Sequence, residues 1–233
     1  AGVEHVCVSP GSRSAPLVMA CARDDRIRMW VHLDERCAGF FALGVGKVTR
    51  WPAAVITTSG TATANLFPAV IEASQAGVPL LVLTADRPHT FRGTDANQTI
   101  DQSNLYGSFA RESFDAGNPS EYDLRRVRTL GCRAVAVTMG VDSGGMAPGP
   151  VLVNFPFDKP LEPAELSAER AANLRATDAV ALDGRDLLTR ASQLGRQSGA
   201  GLPGADHDGV IPCLHVVLLL LSPRSVPRRC TAA

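Results

Sequence analysis

Two arginines stand in turns that directly follow short apolar segments of the chain. Arg13 lies in "SPGSRS" after "HVCV", and Arg87 lies in "ADRP" after "LLVLT". If both apolar segments are parallel strands, both guanidinium groups lie at the same edge of one sheet. Each guanidinium group can bind a carboxylate through two hydrogen bonds, so the pair predicts a site for an acidic ligand. Taken singly, either arginine has a structural alternative: Arg87 could pair with Asp86, and Arg13 could cap a neighbouring helix.

A carboxylate follows the next apolar segment, within "HLDER". Glu35 is predicted to begin a helix there, where the helix dipole favours acidic side chains. Asp34 can fill that role by itself, which leaves Glu35 as a candidate buried general acid or base with a raised pKa. The spacing of the residues does not decide between these two interpretations.

Hydroxyl and amide side chains occupy the two remaining turns. "TSGTATAN" places Ser59, Gly60 and Thr61 at a helix start, where Ser59 or Thr61 is expected to act as the cap. No G-x-x-x-x-G-K-[ST] motif is present, and no G-x-G-x-x-G follows the first strand, which excludes a P-loop and argues against NAD. The long loop after Arg87 contains Asn97 and Gln98, which could bind a polar ligand or stabilise the loop itself.

The elements that position these turns alternate between strand-like and helix-like segments. Five apolar runs are predicted to be buried parallel strands, over 5–9, 27–32, 53–58, 79–85 and 150–156. Four segments with apolar residues at three- and four-residue spacing are predicted helices, over 14–23, 36–48, 61–77 and 120–139. The alternation predicts an α/β fold with an open, mostly parallel sheet and helices on both faces. We expect one domain over 1–163, a helical linker over 164–199, and an irregular tail over 200–233, for which the hypothesis is an out-of-frame end.

Composition narrows the class of protein. The 233 residues carry 23 basic and 23 acidic side chains, so there is no electrostatic footprint for nucleic acid or an anionic membrane. The six cysteines form no C-x-x-C pair and the histidines no ligand spacing, which predicts neither a metal site nor a disulfide framework. The longest apolar run, "VVLLLL", is far shorter than the ~20 residues that a bilayer requires. We therefore expect a cytoplasmic protein without a membrane span or a nucleic-acid partner.

Four motifs in register resemble one enzyme family. "SPGSRSAPL", "HLDERCAGFFALG", "TSGTATANLFPAVIEASQAGVPLLVLTADRP" and "TDANQTIDQ" are similar to the N-terminal pyrimidine-binding domain of the 2-succinyl-5-enolpyruvyl-6-hydroxy-3-cyclohexene-1-carboxylate synthase (MenD) family. The resemblance covers residues 3–163. It implies the thiamine-diphosphate-binding fold. It also implies a transferase of menaquinone biosynthesis that decarboxylates 2-oxoglutarate and adds the succinic semialdehyde carbanion equivalent to isochorismate.

The resemblance also implies roles for the residues in the turns. Glu35 corresponds to the catalytic glutamate that hydrogen-bonds N1′ of the aminopyrimidine ring of thiamine diphosphate and promotes its ionisation. Ser59 and Gly60 are expected to contact the same cofactor. The expected substrate-binding residues are Ser12, Arg13, Arg87, Asn97 and Gln98.

The sequence also departs from the family. Members bind the diphosphate through Mg²⁺ or Mn²⁺ with a G-D-G…N motif, which is absent from these residues. We expect the metal and diphosphate ligands, the central domain and the helix before the first strand to lie outside this sequence, and the chain to be inactive by itself. The family resemblance predicts a homodimer or homotetramer.

Two alternatives remain open. One is another thiamine-diphosphate decarboxylase or an acetolactate-synthase-like enzyme, but its monocarboxylate substrates would not need two arginines. The other is a non-catalytic dimerisation or binding fragment, which the absence of the diphosphate motif favours.

Overall fold

Six parallel strands form a single sheet in the computed structural model, which describes residues 2–117, 124–141 and 145–162. The strands are β1 (His5–Val8), β2 (Arg28–Val31), β3 (Ala53–Thr57), β4 (Leu80–Asp86), β5 (Glu112–Asp115) and β6 (Pro150–Pro156). Their order across the sheet is β2-β1-β3-β4-β6-β5, and every adjacent pair is parallel. The predicted open parallel sheet is confirmed.

Helices cover both faces of this sheet. They are α1 (Ala15–Ala22), α2 (Glu35–Thr49), α3 (Thr61–Ala64), α4 (Phe67–Ala76) and α5 (Leu124–Thr138). One apolar cluster joins α1 and α5 to the sheet, and a second joins α2 and α4 to the opposite face. Every residue of β3, β4 and β6 is buried, because these central strands are covered on both sides.

Two elements differ from the sequence prediction. The strand β5 was not predicted, because "ESFD" is only four residues long and mostly polar at the sheet edge. The predicted helix over 61–77 is divided into α3 and α4, with Pro68 in the first turn of α4. Proline lacks an amide hydrogen and is tolerated at a helix start rather than in its interior, so it begins a new helix here.

The remaining part of the predicted domain organisation lies outside the described residues. This applies to the helical linker over 164–199 and to the tail over 200–233. Among the helices that the structure describes, none has the length and apolar character needed to cross a membrane.

Candidate functional site

The predicted site residues follow the carboxyl ends of parallel strands, so their loops lie at one edge of the sheet. The chain runs from β1 to β2 on one side and then returns to β3 on the other, which makes the β1–β3 boundary the switch point of the fold. Ligands bind at such points in open α/β sheets. The turns after β1 and β3 are in close contact here, since a Cβ added to Gly11 would lie 2.4 Å from Cβ of Thr58. Only glycine fits at this position without a shift of the neighbouring turn.

Arg13 lies in a 3₁₀ turn directly after β1. Its Nη1 donates a hydrogen bond to the carbonyl of Phe157, while its Nε is buried and has no partner among the residues that the structure describes. Burial lowers the pKa of Arg13, the positive charge of Arg87 lowers it further, and the carboxylates of Asp158 and Asp86 oppose the shift. The structure therefore brings the two predicted arginines within electrostatic range of each other.

Arg87 uses its side chain to hold the following loop. Its Nε donates to the carbonyl of Asn97 at 2.6 Å, and only its backbone amide bonds Asp86, at 2.7 Å. The Asp86 carboxylate pairs instead with Arg92, whose Nη2 lies 3.2 Å from Oδ2. The two structural alternatives are thus wrong: Arg87 forms no ion pair with Asp86, and Arg13 binds a carbonyl after β6 rather than a helix end.

The amide loop folds back onto the turn after β3. Gln98 has a φ of 57°, and its Nε2 donates to the carbonyl of Ser59 at 2.9 Å. Gly60 has a φ of 79°, and a Cβ added to it would lie 2.8 Å from Cγ of Gln98. Gly60, not Ser59 or Thr61, is the N-cap of α3, and no side chain caps that helix. The capping prediction is therefore wrong, because the close approach of Gln98 requires a glycine at this point.

A buried polar network beneath the turns was not predicted. It contains Asp86, Gln102 and Asn154, all fully buried, and Thr84 beside them. Asn154 and Thr84 are the polar residues inside the strongly apolar strands "PVLVNFP" and "LLVLTAD". A polar side chain inside a buried strand requires a partner, which is the signal in the sequence that could have revealed the network.

Glu35 is the first residue of α2 and is half-buried. The N-cap is Asp34, whose Oδ1 accepts the Arg36 amide at 2.8 Å. Within the described part of the chain, the Glu35 carboxylate has no hydrogen-bond or ion-pair partner. Asp34 therefore serves the helix start and leaves Glu35 available to a ligand.

The structure connects only some of the predicted site residues. Contacts or electrostatic interactions join Arg13 with Arg87, Arg87 with Asn97, and Gln98 with the Ser59–Gly60 turn. Glu35 and the exposed Ser12 share the same sheet edge but make no described contact with these residues.

The residues at this edge fit one end of thiamine diphosphate better than the other. A free carboxylate at a helix start and a tight glycine turn suit a polar heteroaromatic ring. Among the described residues, no three His, Cys, Asp or Glu side chains form a group that could hold a metal ion.

Comparison with known proteins shows which proteins the chain resembles. The family model "Thiamine pyrophosphate enzyme, N-terminal TPP binding domain" matches residues 1–105. Two relatives are named 2-succinyl-5-enolpyruvyl-6-hydroxy-3-cyclohexene-1-carboxylate synthase. The one from Roseiflexus castenholzii is 54% identical over 72% of this chain and 29% of its own length. The one from Halobacterium salinarum is 56% identical over 72% of this chain and 28% of its own length. The relative of the same name in Geobacillus kaustophilus is 50% identical over 70% of this chain and 28% of its own length.

The chain spans less than a third of the length of these curated relatives. The shared name, the identity over most of the chain and the matched domain agree with one another. Over most of its length the chain is therefore similar to the N-terminal, thiamine-pyrophosphate-binding part of the 2-succinyl-5-enolpyruvyl-6-hydroxy-3-cyclohexene-1-carboxylate synthases.

Proposed function

We propose that this chain forms the part of a synthase active site that binds the aminopyrimidine ring of thiamine diphosphate and the carboxylates of the substrates. The whole enzyme would decarboxylate 2-oxoglutarate and transfer the remaining four-carbon unit to isochorismate, in menaquinone biosynthesis. The observation that carries this proposal is the pair of arginines at one edge of the sheet, with Arg13 beside the switch point and Arg87 after β4. Within the described residues both guanidinium groups hydrogen-bond neutral carbonyls and no carboxylate, so their positive charges remain available to a diacid.

The residues of this chain would have separate tasks. Glu35 would hold a proton at N1′ of the aminopyrimidine, and the Ser59–Gly60 turn would lie against the same ring. When bound, thiamine diphosphate supplies the nucleophilic carbon for decarboxylation and for formation of the new carbon–carbon bond. Arg13 and Arg87 would orient the substrate through its carboxylates, with Ser12, Asn97 and Gln98 lining the same edge. The ligands of Mg²⁺ (or Mn²⁺) and of the diphosphate would come from residues outside the described part of the chain.

An apolar surface beside Glu35 supports the proposal that the whole enzyme is a homo-oligomer. Leu33 is 100% exposed, two residues before Glu35. Other exposed apolar side chains lie on β2, on α2 and in the turn that follows α2, at Val31, Phe40, Val48 and Trp51. We propose that these side chains form one patch, which would be typical of a contact site between subunits.

A chimera tests the catalytic proposal. The corresponding segment of the Roseiflexus castenholzii relative would be replaced by residues 2–162 of this chain, and decarboxylation of 2-oxoglutarate measured with thiamine diphosphate and Mg²⁺. We expect turnover, and we expect Glu35→Gln to lower it by about 10²- to 10⁴-fold, the range for loss of a proton-transfer group. Glu72→Gln, at an exposed position on α4, is the matched control and should have no effect.

The outcome of the chimera also distinguishes the alternatives. A folded chimera that turns over equally well with glutamine at position 35 would exclude the catalytic role of Glu35. A folded chimera that binds thiamine diphosphate without any turnover would favour the non-catalytic binding fragment. Turnover of pyruvate in preference to 2-oxoglutarate would favour an acetolactate-synthase-like enzyme.

A titration of the chain with succinate tests the arginine pair directly. We expect Arg13→Ala and Arg87→Ala each to weaken succinate binding by at least about tenfold, because each removes charged hydrogen bonds to a carboxylate. Arg23→Ala is the control, since Arg23 is exposed at the far end of α1. Equal weakening by all three substitutions would show that general charge, rather than this site, attracts the diacid.

A further inference from the structure

A buried chain of hydrogen bonds connects two parts of the site that share no helix or strand. The Gly60 amide donates to Oε1 of Gln102 at 2.8 Å, and Nε2 of Gln102 donates to Oδ1 of Asn154 at 2.9 Å. Nδ2 of Asn154 donates to Oδ2 of Asp86 at 2.9 Å, and Oδ1 of Asp86 accepts the Arg87 amide at 2.7 Å. Buried hydrogen bonds thereby link the turn after β3 to Arg87, the residue that follows β4.

A second, exposed path joins the same two ends. Nε of Arg87 donates to the carbonyl of Asn97, and Nε2 of Gln98 donates to the carbonyl of Ser59. Asn97 and Gln98 are exposed, so water competes for the hydrogen bonds of this path. Gln102, Asn154 and Asp86 are fully buried and do not face that competition. The buried path therefore holds the two ends more firmly than the exposed one.

The chemistry of the buried path suits amides at its two middle positions. It begins at a donor, the Gly60 amide, and ends at an acceptor, the Asp86 carboxylate, so each link between them must accept on one side and donate on the other. A carboxamide does both in a fixed plane, whereas a carboxylate only accepts. Both amides are held in one orientation, because Nε2 of Gln102 also donates to the Ala85 carbonyl and Oδ1 of Asn154 also accepts from Thr84.

We propose that Gln102 and Asn154 are positioning residues that fix the separation between the Ser59–Gly60 turn and Arg87. The inference rests on the proposed function, in which the first contacts the cofactor ring and the second a substrate carboxylate. Neither amide touches a ligand in this proposal. Their task is to keep the place where the ring binds at a constant distance from the place where the diacid binds.

Asn154→Leu in the full 233-residue chain tests the proposal, because Asn154 contacts neither Gly60 nor the Arg87 side chain. We expect hydrogen exchange of the Gly60 amide, followed by NMR, to become about tenfold faster, the factor for one buried hydrogen bond. We expect succinate to bind about three- to tenfold more weakly. Thr138→Val is the matched control: it removes a buried hydrogen bond to the Ala134 carbonyl on α5 and should change neither result beyond its effect on global stability.

Two outcomes would overturn the proposal. One is unchanged Gly60 exchange and succinate affinity in Asn154→Leu. The other is faster exchange that is uniform over the sheet, as expected for a purely structural loss. If Asn154→Leu does not fold, Thr84→Val removes one bond to the same amide and is expected to act in the same direction with a smaller effect.

The experiments distinguish failure of the proposed function from failure of the proposed positioning role of Gln102 and Asn154. A wild-type chain that binds no succinate would refute the proposed function. The positioning role is then tested by hydrogen exchange of the Gly60 amide alone, because that measurement requires no ligand.

Discussion

The residues proposed to meet ligands keep their charges unpaired, while similar residues nearby are paired. Arg13 and Arg87 hydrogen-bond carbonyl oxygens, and Glu35 has no partner among the described residues. By contrast, Asp34 pairs with Arg36, and Arg92 pairs with Asp86. Asp34 thus caps the helix start, and Arg92 pairs with Asp86 in the loop. The charged groups of the three proposed site residues therefore remain able to bind a ligand.

The helix start beside Glu35 gives a prediction with a definite pH dependence. Hydrogen bonds from Arg36 lower the pKa of Asp34 to about 2, below the ordinary value for an aspartate. Because the folded-state pKa is depressed, the Asp34 carboxylate contributes stability near neutral pH, and this contribution is lost as the pH falls from about 4 toward 2. We expect Asp34→Ala to lower the midpoint of denaturant unfolding near pH 7 and to have a much smaller effect near pH 2. An equal difference in unfolding midpoint between Asp34→Ala and the wild type at both pH values would show that the charge of Asp34 is not the cause.

At the scale of the elements, matching residues of neighbouring strands have different surroundings. Thr57 on β3 and Thr84 on β4 are register partners, and both are fully buried. The Thr84 hydroxyl donates to Oδ1 of Asn154 at 2.9 Å, whereas the Thr57 hydroxyl is buried and finds no partner in the described part of the chain. A buried hydroxyl without a hydrogen bond costs free energy that a methyl group of the same shape does not.

The two threonines form a matched pair for a stability measurement. We expect Thr57→Val to raise the free energy of unfolding by about 1 kcal/mol and Thr84→Val to lower it by about 1 kcal/mol or more. Denaturant unfolding of the two variants beside the wild type checks both signs. Destabilisation by Thr57→Val would mean that its hydroxyl has a partner, such as a buried water molecule.

Periodicity and turn motifs predicted the elements better than the contacts between them. The apolar runs gave five of the six strands, and their common direction placed Arg13 and Arg87 at one edge. The Asn154–Asp86 hydrogen bond spans 68 residues and depends on the pairing of β4 with β6, which no local pattern encodes. The choice of Arg92 over Arg87 as the partner of Asp86 likewise depends on the path of the loop.

At the scale of the whole molecule, α2 carries Glu35 at one end and is packed tightly onto the sheet at the other. A Cβ added to Gly46 would lie 2.6 Å from the Pro79 carbonyl oxygen, at the entry to β4. A Cβ added to Gly44, two residues earlier on the same helix, would have no neighbour within 4 Å in residues 2–117, 124–141 and 145–162. The position of Glu35 over the sheet edge therefore depends on a close contact near the opposite end of its helix.

These two glycines allow the dependence to be measured. We expect Gly46→Ala to destabilise the protein by about 1–3 kcal/mol, because the added methyl group overlaps backbone, and to lower turnover of the chimera by moving α2. We expect Gly44→Ala to stabilise the protein by about 0.5–1 kcal/mol through helix propensity and to leave turnover unchanged. Thermal unfolding and the 2-oxoglutarate assay measure both variants. Equal stability and equal turnover of the two variants would contradict the close packing of α2 at Gly46.

The strand order also has a consequence for the newly made protein. The strand β6 lies between β4 and β5 but follows both in the chain, so β5 has no neighbour in the sheet until β6 has left the ribosome and inserted. Domains begin to fold while the chain is being synthesised from its N-terminus. The turns after β1, β3 and β4 are therefore made well before β6, the strand that carries Asn154. Completion of the proposed site is therefore a late event in biosynthesis. A nascent polypeptide stalled before β6 would carry the turns of the proposed site without the buried hydrogen bonds of Asn154.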